Sequence, residues 1–102
     1  MGEARRVCAR DDLASGTARC FAVDGHKIAL VRIDDDFYAT AGRCAHLQGP
    51  LGEGRVDDHV LSCPWHGWQY DVRTGLNEFD HAIHVQTYAV RVEDGDVKVA
   101  LP

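Results

Sequence analysis

Proline, methionine and positive charge are all scarce in this sequence. The 102 residues include three prolines and one methionine, and 11 Lys and Arg stand against 16 Asp and Glu, so the formal net charge is -5. Nucleic-acid-binding domains usually carry the opposite sign. No apolar run approaches the ~20 residues of a membrane-spanning helix. Charged residues also follow the N-terminal arginine pair, where an export signal would place its apolar segment. We therefore expect a cytoplasmic protein that binds neither nucleic acid nor a membrane.

Helical periodicity is missing as well, apart from one possible turn at Asp11 to Ser15. Apolar and polar residues instead alternate from Gln86 to Glu93 and from Val97 to Leu101, and Asp94-Gly95 between them is typical of a hairpin turn. Further strands are predicted over 18–23, 27–33, 37–41 and, as one return strand, 56–61, with turns at Asp24-Gly25, Asp34-Asp35 and Thr74-Gly75. This pattern predicts an all-β fold, an antiparallel sandwich or small barrel, in a single domain of residues 1–102.

Two segments, about 42–55 and 62–68, have few strand-forming residues and contain glycines and the two internal prolines. The first includes Cys44-Ala45-His46 and the second Cys63-Pro64-Trp65-His66. Each loop thus offers one thiolate and one imidazole. A zinc site could use this set, although zinc fingers more often take their cysteines from one knuckle and their histidines from a helix. A dinuclear iron–sulfur core is better matched, with both thiolates on one iron and both imidazoles on the other.

The four ligand positions match the C-x-H and C-x-x-H pattern of the Rieske [2Fe-2S] ferredoxins, and the chain resembles that family from Val7 to Leu101. The resemblance extends over His46 to Gly54 in the first loop and Cys63 to Asp71 in the second. It implies a Rieske-type antiparallel β fold with two cluster-binding loops at one end. It also implies one [2Fe-2S] cluster per chain, held by Cys44, His46, Cys63 and His66.

Departures from the respiratory Rieske pattern indicate a subgroup. Gly49 and Trp65 stand where respiratory members have a disulfide, and Trp68 stands where they have a serine that donates a hydrogen bond to the cluster, while their tyrosine is matched by Tyr70. Fewer donors to the sulfurs imply a low reduction potential, on the order of −150 mV rather than +300 mV. This resembles the ferredoxins of bacterial aromatic-ring-hydroxylating dioxygenases.

The resemblance implies a monomeric one-electron carrier without catalytic turnover of its own. Its partners would be a flavoprotein ferredoxin reductase and a terminal oxygenase, and the net acidity would steer it toward a basic patch on either. The expected rim around the cluster consists of Leu47, Gln48, Pro50, Pro64 and Trp65. Gly49, Gly52 and Gly67 would allow backbone N–H groups to approach the sulfurs.

Two other functions remain open at this point. One is the Rieske-like small subunit of an assimilatory nitrite reductase, and the other is a zinc-stabilised interaction domain. Cys8 and Cys20 are expected to be buried thiols without a function. His26, His59, His81 and His84 are expected to have surface or packing roles, because an i, i+3 pair such as His81 and His84 points to opposite faces of an extended segment.

Overall fold

The computed structural model describes residues 3–43, 49–65 and 67–101. Over these ranges the chain forms ten strands and two three-residue 3-10 turns, Arg10–Asp12 and Leu51–Glu53. No helix in this part of the chain is long and apolar enough to cross a membrane. The strands, in chain order, are β1 Glu3–Ala9, β2 Thr17–Val23, β3 His26–Ile33, β4 Asp36–Ala41, β5 Arg55–Asp57, β6 Val60–Ser62, β7 Gln69–Asp71, β8 Thr87–Tyr88, β9 Val90–Glu93 and β10 Asp96–Leu101.

The strands form three sheets, and every strand pair is antiparallel. The orders are β1-β10-β9, β2-β3-β4-β8 and β5-β6-β7. The prediction of an all-β antiparallel fold is confirmed. The smallest sheet, β5-β6-β7, is the one whose connection between β6 and β7 includes the second Cys/His segment.

The predicted Asp-Gly turns are confirmed by their backbone angles. Asp24 and Gly25 have φ values of 48° and 81°, and Asp94 and Gly95 have φ values of 52° and 80°. Two successive residues with positive φ form a turn whose twist matches that of the flanking strands. Aspartate tolerates this region better than most side chains, and glycine does so without steric cost.

Strand β3 separates two hydrophobic cores. Its residues 28–31 are all fully buried, with Ile28 and Leu30 in one core and Ala29 and Val31 in the other. The first core also includes Val97, Val99 and Leu101, as their alternation predicts. The second core contains Leu51, Leu61, Cys63 and Tyr70 among others, so it lies directly under the two predicted loops.

Two strand predictions are wrong in detail. The segment predicted as one return strand, 56–61, is instead the hairpin β5–β6, which turns at Asp58 with φ of 55°. The alternation from Gln86 to Glu93 covers two strands, because the chain leaves the β4 edge after Tyr88 and joins β10 from Val90 onward. The alternation continues across the break because Tyr88 in β8 and Val90 in β9 pack against the same core, although the two strands belong to different sheets.

The prediction for the two remaining cysteines is half right. Cys8 is buried in the first core, but Cys20 is exposed. Strand β2 is the edge of its sheet, so Cys20 is exposed as a residue although its sulfur lies against Gly52 in the short Leu51–Glu53 turn. Burial still raises the pKa of both thiols, although the backbone N–H of Gly52 works against that rise at Cys20.

Candidate metal centre

The second predicted loop begins at Cys63, directly after β6, and is closed by its own backbone. The amide N of Cys63 donates to the carbonyl O of Trp68 at 2.7 Å, and the amide N of Gly67 donates to the carbonyl O of Cys63 at 3.2 Å. Gly67 has φ of +71°, and an added Cβ would meet nothing within 4 Å, so its role here is conformational. These two hydrogen bonds join the ends of the loop between two paired strands, with a cysteine at its first position.

The first predicted loop is closed in a similar way. Arg43 and Pro50 form an isolated antiparallel bridge, and the amide N of Leu51 donates to the carbonyl O of Gly42 at 3.0 Å. Leu51 is fully buried in the second core, which anchors this end of the loop. Both ends of each predicted ligand loop are thus fixed by backbone pairing on the same core.

The two loops meet where Gly49 approaches Cys63. A Cβ added to Gly49 would lie 2.9 Å from Cys63 Sγ and 2.9 Å from Trp65 Cγ. The absence of a side chain at Gly49 therefore permits direct contact between the end of one loop and the start of the other. Gly49 thus lies beside the sulfur of a proposed ligand, whereas Gly52 lies beside the sulfur of Cys20, which is not one.

Of the four predicted ligands, Cys63 falls in the part of the chain that the structure describes. It is 2% exposed and packs in the second core. Cys44, His46 and His66 lie outside the described residues, as do Leu47 and Gln48 of the predicted rim. The other rim residues are accessible: Pro64 and Trp65 are exposed and Pro50 is partly exposed.

Two aromatic residues behind the second loop lie close to Cys63 in the packing. Tyr70 is fully buried in the same core as Cys63, and Trp68 is partly buried against that core. Trp68 also supplies the carbonyl that accepts from the Cys63 amide. Tyr70, which matches the respiratory pattern, and Trp68, which is one of the departures from it, therefore both pack at the second core.

The histidines outside the loops occupy the positions expected of surface and packing residues. His81 and His84 are exposed. His59 packs edge-on against Tyr38, with ring centroids 5.7 Å apart, and its Nδ1 lies 3.0 Å from a carboxylate oxygen of Asp58. Within residues 3–43, 49–65 and 67–101, no three His, Cys, Asp or Glu side chains are grouped as metal ligands.

The residues at the loop pair fit a [2Fe-2S] cluster. Cys63 presents a buried thiol at the point where the two loops touch, and a side chain at Gly49 would fill the space beside its sulfur. Two thiols and two imidazoles are the donor set of a Rieske centre. The spacing of the sequence predicts the donors, but no motif marks Arg43, whose bridge to Pro50 closes the first loop.

The Rieske [2Fe-2S] domain model matches residues 3–98 of the chain. This chain belongs to the Rieske [2Fe-2S] domain family. Its cofactor is accordingly a Rieske-type [2Fe-2S] cluster. Ferredoxin CarAc of Metapseudomonas resinovorans is 36% identical over 97 residues, which cover 93% of this chain and 91% of the relative. The ferredoxin component of the alkene monooxygenase system of Xanthobacter autotrophicus is 36% identical over 94 residues, or 91% of this chain and 77% of the relative.

Solved Rieske structures superpose closely on this Rieske domain. The ferredoxin of carbazole 1,9a-dioxygenase from Nocardioides aromaticivorans matches with a TM-score of 0.91 and 31% identity, covering 97% of this chain and 98% of that one. A chain in the complex of oxygenase and ferredoxin of carbazole 1,9a-dioxygenase matches with a TM-score of 0.87 and 35% identity, covering 95% and 92%. A nitrite reductase small subunit from Mycobacterium tuberculosis has a TM-score of 0.92 at 24% identity, covering 100% and 97%, which is a likeness of fold.

Proposed function

We propose that this protein is a Rieske ferredoxin, a single domain of residues 1–102 that carries single electrons to the oxygenase component of a multicomponent, aromatic-ring-hydroxylating dioxygenase. The observation that supports it most directly is the contact of Gly49 with the buried thiol of Cys63, which joins the two loops that contain the family's ligand pattern. The named ferredoxin components among its relatives support the role of electron carrier, and that of biphenyl 2,3-dioxygenase from Rhodococcus jostii, 31% identical over 97 residues, supports a dioxygenase as the partner.

The proposed ligands are Cys44, His46, Cys63 and His66. The two thiolates would hold one iron and the two imidazoles the other, and the bound cluster would accept and release one electron. The chain's own contribution is positional. The backbone pairs Arg43–Pro50 and Cys63–Trp68 hold the loop ends together, so each segment that contains proposed donors begins and ends at a position fixed by backbone pairing.

The proposed partners are a terminal oxygenase and a flavoprotein reductase, and the proposed compartment is the cytoplasm. The relative with 35% identity in a complex with its oxygenase supports the first partner. The reductase follows from the chemistry, because a one-electron carrier must be reduced before it can deliver an electron. The small subunit of a nitrite reductase shares the fold at 24% identity, a level that does not favour that function over the first.

Metal analysis of the purified protein tests the ligand set. We expect about two iron and two sulfide ions per chain and a rhombic EPR signal of low average g on reduction. Cys63→Ser should lose the signal, whereas Cys8→Ala, on the other core, should keep it. His66→Cys, if the cluster assembles, should lower the potential and weaken its pH dependence, because a thiolate replaces a neutral, titratable ligand. Zinc without sulfide would refute the proposal.

Reconstituted turnover tests the partner. The reduced protein would be mixed with the oxygenase components of carbazole 1,9a-dioxygenase, alkene monooxygenase and biphenyl 2,3-dioxygenase, with product formation as the readout. We expect product with at least one dioxygenase and none when the Cys63→Ser variant replaces the wild type. Electron delivery to a sirohaem nitrite reductase, and to none of the oxygenases, would overturn the assignment.

A further inference from the structure

A groove of about 450 Å³ lies beside the two ligand loops. Its walls come from β2, the start of β3, and the residues that flank both loops. Arg43 is the residue before Cys44, and Trp65 is the residue before His66, so the groove borders the proposed cluster on both loops. Six of its lining residues carry the argument: Phe21, Lys27, Arg43, Pro50, Glu53 and Trp65.

The charge of this groove is opposite to that of the whole chain. The chain has a formal net charge of -5, but the groove has two cations, Lys27 and Arg43, against the carboxylate of Glu53, its one acidic residue among those described. Lys27 is exposed and forms no ion pair within the described ranges. A further cation stands beside the wall, where the guanidinium of Arg19 lies 5.8 Å from the ring centroid of Phe21.

The groove also has an apolar side. Trp65 is 49% exposed, and Pro50 and Phe21 are partly exposed. Trp65 lies next to Gly49 on one side and lines the groove on the other. Tryptophan is among the residue types enriched at the energetic centres of protein interfaces.

The distance of a docking partner determines whether the net negative charge of the chain or the local positive charge of the groove acts on it. The Debye length is about 8 Å at physiological ionic strength, so the net charge of the chain is largely screened until surfaces approach. In contact, the charges in the groove dominate. A partner that docks at the cluster edge therefore meets a cationic and apolar surface, although at long range it approaches an acidic protein.

We propose that this groove receives an acidic side chain, flanked by an apolar side chain, from the oxygenase component. The carboxylate would pair with Lys27, and the apolar side chain would pack against Trp65. This inference rests on the function proposed above and adds the chemistry of the partner's contact. The net charge of the chain alone predicts a basic patch on the partner, whereas this groove predicts an acidic group at the point of contact.

Small inorganic oxidants test the local charge without any protein partner. The reduced protein would be oxidised in a stopped-flow instrument by hexacyanoferrate(III), an anion, and by hexaammineruthenium(III), a cation. The chain has two lysines, Lys27 and Lys98, and Lys98 on β10 lies 3.0 Å from Glu93, outside the groove. Lys27→Gln and Lys98→Gln therefore make the same change in net charge at different places.

We expect Lys27→Gln to lower the ratio of the anion rate to the cation rate about three- to tenfold at low ionic strength, and Lys98→Gln to change it less than about 1.5-fold. Using the ratio cancels any shift in potential, because a shift changes the driving force for both oxidants. Equal effects of the two substitutions would overturn the inference. An unchanged EPR signal in both variants would show that the cluster is intact, so that a changed ratio reports the surface charge.

Carbodiimide cross-linking tests the occupant. The reagent joins an amine to a carboxylate, and the lysine amines of this chain are at positions 27 and 98. The protein would be cross-linked to whichever oxygenase accepts its electrons, and the linked peptides identified by mass spectrometry. We expect a link from Lys27 to an Asp or Glu of the oxygenase. Links through Lys98 or the N-terminal amine alone would overturn the inference. If no oxygenase accepts electrons, the proposed function fails. The ratio of the anion and cation oxidation rates would still test whether the groove carries positive charge.

Discussion

Gly49→Ala is expected to push the two ligand loops apart. The added Cβ would lie 2.9 Å from both Cys63 Sγ and Trp65 Cγ, and 3.0 Å from Trp65 Cδ2, where ordinary contacts begin near 3.4 Å. A methyl group has no rotamer that avoids these atoms, so the loops must move by about half an ångström or more. Overpacking of this kind costs about 1–3 kcal/mol. For a domain of this size, each kcal/mol corresponds to roughly 4–8 °C in melting temperature.

The assay combines stability with the state of the cluster. Thermal unfolding would be followed by far-UV circular dichroism. The cluster would be followed by its iron content, its visible spectrum and its reduction potential. Because Cys63 is a proposed ligand, the displacement should change the spectrum or the iron content as well as the melting temperature. Trp65→Ala removes one of the two contacts, so Gly49→Ala should be milder in that background but still harmful, since the Cys63 contact remains.

Gly95→Ala is the matched control for Gly49→Ala. Gly95 lies in the β9–β10 turn with φ of +80°, and an added Cβ would meet nothing within 4 Å. That substitution should cost about 1 kcal/mol of backbone strain and leave the cluster signals unchanged. If Gly49→Ala keeps the wild-type spectrum, potential and melting temperature, the loops do not meet at Gly49 and Cys63 as described.

Two further predictions concern the potential and the acid stability. Trp68→Ser should raise the potential if the missing hydroxyl explains a low value, since a hydrogen bond worth ~1 kcal/mol corresponds to about 40 mV for one electron; protein-film voltammetry that finds no rise, with the cluster retained, would assign the low value to other groups. Arg73 lowers the pKa of Asp71 through a 2.8 Å charged hydrogen bond, below the ordinary 3.8. A lowered folded-state pKa stabilises the fold above that ordinary value and ceases to do so as the pH falls through the lowered one. The melting temperature of Arg73→Gln should therefore lie below that of the wild type at pH 6, and the two should converge as the pH falls from 3.8 through the lowered pKa of Asp71. A gap that persists in acid would exclude this ion pair as its cause.

Local signals in the sequence predicted most of the strands. Asp24-Gly25 and Asp94-Gly95 mark turns because the backbone there needs positive φ, and few residue pairs supply it. The turn at Asp58 was missed for the same reason: it adopts φ of 55° without a glycine after it, so the flanking residues read as one strand. The split between β8 and β9 could not be predicted, because the sheet that a strand joins depends on its neighbouring strand. The alternation of apolar and polar residues does not identify that neighbour.

The spacing of Cys44, His46, Cys63 and His66 was enough to predict the type of cofactor, because donor type and order along the chain are properties of the sequence. The contact between Gly49 and Cys63 was not, since it depends on how two loops pack on a shared core. The exposure of Cys20 was predicted wrongly for a related reason. Strand alternation assigns a side to each residue, but whether that side is covered depends on the element lying against it.

The two cores divide stability from redox chemistry. The first core is closed by strands β1, β9 and β10, which lie far along the chain from either ligand loop. The second core includes Cys63 itself, so the proposed ligand is also a packing residue there. Metal binding that orders such a residue contributes directly to folding free energy. Substitutions in the first core should therefore change stability at constant potential, whereas substitutions of second-core residues beside Cys63 should change both stability and potential, because they also displace the sulfur.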